Sequence, residues 1–168
     1  MRWSLSAVSI ASLILGLVLL VCITLWTLSS NSHEDWKYSV LHTDLPEVSG
    51  LQSNGSSIYV TLETRNYDGK LISIVDGERT TIVSGLQKPD GLTTSLGSLV
   101  YTQESGESPV YEVINGVPRG LFITDGAEGI DSALNGDLYV IEDRLGGRVL
   151  KYERLTGKIS VLASELEA

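Results

Sequence analysis

Glu63, Glu104 and Asp143 stand at one register in three similar β-rich runs, and acids at strand ends accept hydrogen bonds from neighbouring turns. Recurrence once per unit is what a structural role predicts. Residues suited to nucleophilic or acid–base catalysis are scarce. Cys22, the only cysteine, lies in an apolar stretch, so an intrachain disulfide is excluded, as are a cysteine zinc site and a thiol nucleophile beyond it. His33 and His42 both precede the first β-rich unit, so no Ser-His-acid arrangement can be argued from them, and there is no Gly-rich phosphate loop. With 21 Asp and Glu against 12 Lys and Arg the net charge is −9, which argues against nucleic acid or an anionic membrane surface as partners. Asn54-Gly55-Ser56 forms a glycosylation sequon that matters only in a eukaryotic secretory pathway; elsewhere Asn54 is a hairpin residue.

The elements that must position these residues come from a repeat. Gly50-Leu51, Gly91-Leu92 and Gly129-Ile130 each open a β-rich run. Each is followed by a small turn, at Asn54-Gly55, Leu96-Gly97 or Asn135-Gly136, and by a second run that closes on the acids named above. A third run follows (70–75, 109–114, 148–153), then a turn at Asp76-Gly77, Asn115-Gly116 or Thr156-Gly157, then a fourth run. Asx-Gly between β-rich runs signals a hairpin, because both central residues must tolerate positive φ. Each unit therefore reads as a four-stranded antiparallel meander of about 40 residues, the size of a β-propeller blade. A flat sandwich would not explain one register kept three times. The expected fold is all-β: a partial propeller with blades at about 50–86, 91–124 and 129–166.

Residues 1–28 are of another kind. From Leu5 to Leu28 no residue is charged, and as a helix this stretch spans roughly 36 Å against a hydrocarbon core of about 30 Å. Trp3 and Trp26 mark its ends, and Arg2 votes for an N-terminus on the inner side of the membrane and the remainder on the outer side. The reading is a single transmembrane anchor (1–28), a linker (29–37) and an extracytoplasmic domain from 38 to 168. The competing reading is a cleaved signal peptide, for which the apolar stretch is too long.

Tyr38–Leu45 resembles Ile159–Leu166, and both read as the outermost strand of a blade. The first copy has no inner strands ahead of it, so it is expected to be an unpaired outer strand of the kind that closes a ring. On this reading the chain is truncated after its third blade, inactive as a fragment, and prone to self-association through open blade edges. A natural half-ring that pairs with a second copy is the alternative.

Pro89-Asp90-Gly91-Leu92, Leu138-Tyr139-Val140 and the glycine-turn spacing resemble the six-bladed propellers of the gluconolactonase/senescence-marker-protein (regucalcin) family and their strictosidine-synthase-like and NHL-repeat relatives. The resemblance covers residues 38–168 at the level of blade consensus, and membrane anchoring points to the strictosidine-synthase-like branch. It implies that the residue before a blade-opening glycine faces the central channel and in some blades binds a divalent cation. That position holds Ser49, Asp90 and Glu128. Asp90 matches the pattern, Glu128 departs from it, and Ser49 is a poor ligand; Asp131 is a further channel-side candidate. Such oxygen ligands suit Ca²⁺ or another divalent cation. The bland reading makes Asp90 and Glu128 surface turn residues. Gly106-Glu107-Ser108-Pro109-Val110 resembles a ligand-bearing step of the same family, but it falls between strands two and three, where Glu107 reads as a solvated loop acid.

Two functions follow as expectations. One is a membrane-anchored, metal-dependent hydrolase of a lactone or ester. The other is a non-catalytic, NHL-like scaffold that binds a protein or glycan. Propellers host both.

Overall fold

The computed structural model describes residues 37–166, and the chain divides into two units, Met1–Thr43 and Asp44–Ala168. The apolar segment Leu5–Leu28 and the anchor expected there lie outside the described residues. Among the described residues no helix is long and apolar enough to cross a membrane.

The second unit holds three four-stranded antiparallel sheets, each a simple meander. Blade 1 is β1 (Val48–Asn54), β2 (Ser57–Leu62), β3 (Gly69–Val75) and β4 (Glu78–Leu86). Blade 2 is β5 (Pro89–Ser95), β6 (Ser98–Gln103), β7 (Glu107–Ile114) and β8 (Val117–Asp125). Blade 3 is β9 (Ala127–Ser132), β10 (Leu138–Glu142), β11 (Gly147–Tyr152) and β12 (Ile159–Leu166). The first strands lie side by side, β1 against β5 and β5 against β9, as the inner strands of a propeller do. At the β3–β4 and β7–β8 turns both central residues have positive φ: Asp76 (51°) with Gly77 (84°), and Asn115 (53°) with Gly116 (78°).

Residues 38–45 form no strand, which corrects the expectation of an unpaired outer strand. A strand needs a neighbour to satisfy its N–H and C=O groups, and the described strands pair only with one another. Leu45 instead packs against Val60, Leu62, Ile72 and Ile74 on the outward face of blade 1, and Asp44 pairs with Arg79 of β4.

Alternation along the strands builds two further cores in the seams between blades. Leu71, Val83 and Leu86 meet Leu92, Tyr101 and Val113 between blades 1 and 2. Val100, Val110 and Phe122 meet Ala127, Leu138, Val140 and Leu150 between blades 2 and 3. Each large apolar side chain buried there contributes about 1.5–3 kcal/mol before conformational entropy is counted.

Candidate functional site: an acidic mouth at the inner strands

Each blade is entered through a residue in the left-handed region, three before its opening glycine: Glu47 (φ 46°), Lys88 (φ 45°) and Gly126 (φ 65°). The carbonyl of that residue accepts the N–H of the residue just past the second strand. Glu63 donates to Glu47 at 2.7 Å, Glu104 to Lys88 at 2.9 Å and Asp143 to Gly126 at 2.8 Å. One backbone bond, made three times, therefore brings Glu63, Glu104 and Asp143 beside the start of the inner strands.

Asp90 and Glu128 are held at that same end by the blade before them. Thr61 Oγ1 accepts the Gly50 N–H at 2.7 Å and donates to the Asp90 carbonyl at 2.7 Å. Thr102 Oγ1 donates to the Glu128 carbonyl at 2.9 Å. Only glycine allows this approach: a Cβ on Gly50 would lie 2.3 Å from the Asp90 carbonyl oxygen, and one on Gly91 2.3 Å from that of Glu128. Ser49 joins the same joint, its hydroxyl donating to the Pro89 carbonyl at 2.8 Å, so it serves the seam.

The five carboxylates interact electrostatically. Burial, then the negative charges of Glu63, Glu128 and Glu104, push the Asp90 carboxyl up to about 6, with Lys88 opposing. Partial burial and the charges of Asp143, Glu104 and Glu63 also raise Glu128. Lys88 sits among them, ion-paired with Glu104 and 3.7 Å from Glu63, and the hydrogen bond to Glu104 holds its ammonium above the ordinary lysine range. The sequence reading placed Glu63, Glu104 and Asp143 in a structural role; the fold gathers them round Asp90 and Glu128. It passed over Lys88, whose one signal is its place three residues before Gly91.

The remaining candidates stand elsewhere. Asp131 is exposed on β9, where Oδ1 accepts the Ser132 N–H at 2.7 Å; it is level with Tyr139 and is not among the charges acting on Asp90 or Glu128. Glu107 is exposed at the start of β7 and Asn54 is exposed at the β1–β2 turn.

Glu63 also forms one wall of a cleft of about 470 Å³, lined by Glu47, Val48, Glu63, Thr64, Arg65 and Asn66. The loop beneath it places two non-glycine residues in the left-handed region, Asn66 and Tyr67, both at φ 61°. Thr64 Oγ1 is buried there without a hydrogen-bond partner. Strain and an unsatisfied hydroxyl beside an open cleft are common features of ligand sites.

Among the described residues, no three or more His, Cys, Asp or Glu side chains are placed to hold a metal ion. Ca²⁺ takes six to eight oxygens. Asp90 and Glu128, with the Lys88 ammonium close by, do not complete such a site on their own.

No family model matches the chain, and no curated protein matches it in sequence. Solved structures do match. An auxiliary nutrient binding protein from Bacteroides thetaiotaomicron aligns over 74% of this chain and 32% of its own, with TM-score 0.64 and 19% identity. A gluconolactonase from Xanthomonas campestris aligns over 74% of this chain and 50% of its own, with TM-score 0.63 and 10% identity. A calcium-binding regucalcin from Agrobacterium tumefaciens aligns over 65% and 41%, with TM-score 0.49 and 15% identity. The chain thus spans half or less of the length of each structure. At these identities the likeness is one of fold: residues 48–166 are three blades of a β-propeller.

Proposed function

We propose that these blades belong to a membrane-anchored, outward-facing propeller that hydrolyses a small lactone or ester. One observation carries this: the cleft of about 470 Å³ shares Glu63 with the acidic mouth. A volume of this order suits a small ligand. Arg65 would anchor the ligand's oxygens, and Glu63 would accept a proton from the water that attacks its carbonyl. Asp90 and Glu128 would contribute two oxygens to a divalent cation, which needs further donors. The test is acid release from a six-membered lactone by the full chain, with and without calcium, alongside thermal melts. Turnover above background that falls at least tenfold in Glu63→Gln supports the reading and overturns the expectation of an inactive fragment; no turnover in either condition sinks it. Calcium stabilisation that disappears in Asp90→Ala supports cation binding.

Lys88 favours a second reading. It compensates part of the mouth's charge from within, as suits a non-catalytic, NHL-like scaffold that binds a protein or glycan on its loops. That reading expects neither turnover nor a calcium shift.

A further inference from the structure

The residue three before each opening glycine has one backbone task, and lysine is not required for it. Glu47, Lys88 and Gly126 all adopt the left-handed conformation there, and each carbonyl accepts the N–H that follows a second strand. Glycine meets that conformation without the crowding of a Cβ, so Gly126 is the least strained of the three. What Lys88 adds is its side chain, delivered to a fixed place. Its N–H donates to the Thr64 carbonyl of blade 1 at 3.0 Å, and its carbonyl accepts from Glu104 of blade 2 at 2.9 Å. The backbone is pinned from both sides of the seam. The ammonium it carries pairs with Glu104 and lies 3.7 Å from Glu63, one acid from each blade.

Charge and donor count say which ion this place suits. Glu63 and Glu104 act repulsively on both Asp90 and Glu128, and Lys88 is the cation that opposes them at both. Carboxylates gathered without such a charge repel one another and draw a counter-ion from solution. Calcium takes six to eight oxygens, and among the described residues no three His, Cys, Asp or Glu side chains are placed to hold a metal ion. An ammonium is a compact point charge with three N–H donors, so two carboxylates and a water satisfy it. The Lys88 side chain is only 20% exposed, against 32% for Glu63 and 29% for Glu104, so salt screens it less than a charge on open surface.

We propose that Lys88 is a tethered cation standing where the acidic mouth would otherwise take one from solution. Truncating it opens a binding place for a primary ammonium ion between Glu63 and Glu104. This goes beyond the hydrolase reading and holds equally for a scaffold. Under the first reading, the divalent cation of Asp90 and Glu128 must find its further donors elsewhere than at Glu63 and Glu104. The left-handed strain at Lys88, which glycine would avoid, is then the consequence of fixing a charge at the seam.

Thermal melts of the full chain test this. Lys88→Ala should melt below the parent, and the deficit should shrink as sodium chloride is raised, because the carboxylates left behind repel one another. Propylammonium restores the carbons and nitrogen that the substitution removes. At about 100 mM it should recover at least half of the deficit by binding the native state, while the parent responds to it no more than to sodium. Tetramethylammonium, which has no N–H to donate, should match sodium at equal ionic strength. Adding Glu104→Gln to Lys88→Ala should abolish the recovery. If Lys88→Ala fails to fold, Lys88→Gly, which suits the left-handed backbone, decides by the same comparison. A truncated variant that melts with the parent overturns the proposal, and so does one that propylammonium helps no more than tetramethylammonium does. Neither outcome depends on turnover or on a calcium shift, so the hydrolase reading stands or falls separately.

Discussion

The seam between blades 1 and 2 and the seam between blades 2 and 3 use equivalent positions with different chemistry. At the first, the Gln103 side chain accepts the Gln87 N–H at 2.8 Å, an exchange between neutral groups. At the second, Glu142 takes the place of Gln103 and accepts the Asp125 N–H at 3.1 Å. A carboxylate there needs cations. Arg148 meets it twice, at 2.7 and 2.6 Å, and Arg144 lies 3.7 Å away and 3.3 Å from Asp125. Arg154 of blade 3 also pairs with Glu112 of blade 2, where blade 1 has Ser73. Tyr152 stacks on Phe122 across this seam at 4.5 Å, whereas the stacked pair at the first seam, Tyr101 and Tyr111, lies within blade 2. One repeat thus supports a neutral joint and an ionic one, because the same threonine-to-carbonyl bond holds the inner strand at both.

The ionic joint is the easier to break. The Glu142 side chain is 0% exposed, so Glu142→Ala leaves the Asp125 N–H and the Arg148 guanidinium without their acceptor. Both arginines are more than a third exposed and can turn to water, so the cost is about 1–3 kcal/mol, most of it from the orphaned N–H. Urea titration should show that loss, while Gln103→Ala at the neutral joint should cost less than half as much.

The glycines sharpen the contrast between the seams and the outer face of blade 3. Gly91→Ala drives a Cβ to 2.3 Å from the Glu128 carbonyl and 2.9 Å from the Ile130 nitrogen, overpacking worth about 1–3 kcal/mol. Gly129→Ala meets only Ile141 and should fall within about 0.5 kcal/mol of the parent. Equal losses in the two melts would show that the third opening glycine is also enclosed.

Smallest in size, and opposite in sign at the two places, is the response to pH. The Asp90 carboxyl is raised from 3.8 to about 6, so the stability it lends is present below its unfolded value and lost as pH rises through about 6. Arg148 holds Glu142 below its ordinary range, so that contribution is present above the unfolded value and lost as pH falls through the lowered one. Asp90→Asn should therefore flatten the decline between pH 4 and 7 and leave the acid limb intact. Melts across that range check it, and an unchanged slope would mean that the mouth relieves its charge in another way.

Much of this architecture was legible in the sequence, because its signals are local. Gly50, Gly91 and Gly129, and the Asx-Gly turns, carry backbone requirements that only a few residue types meet. The acidic mouth was half legible: the repeat flagged Glu63, Glu104 and Asp143 but not what they face. Lys88 has no counterpart in the other blades, so no periodicity marks it. Glu142 was hidden by its neighbour Asp143, the residue in register with Glu63 and Glu104. Its burial depends on Arg148, a partner that repeat alignment does not supply. The Tyr38–Leu45 expectation failed for a related reason: similarity to β12 carries side-chain pattern, but a strand also needs somewhere to pair.

The threonine joints also bear on how the chain assembles. Thr61 reaches 29 residues ahead to Asp90, and Thr102 reaches 26 ahead to Glu128, whereas the ladders of each sheet join strands adjacent in sequence. A sheet can therefore form from contiguous chain, yet its first strand is located only against the finished second strand of its predecessor. Growth from a ribosome would proceed as a ratchet, each completed sheet offering a hydroxyl template for the next, with Ile141 the first position at which that template is no longer presented.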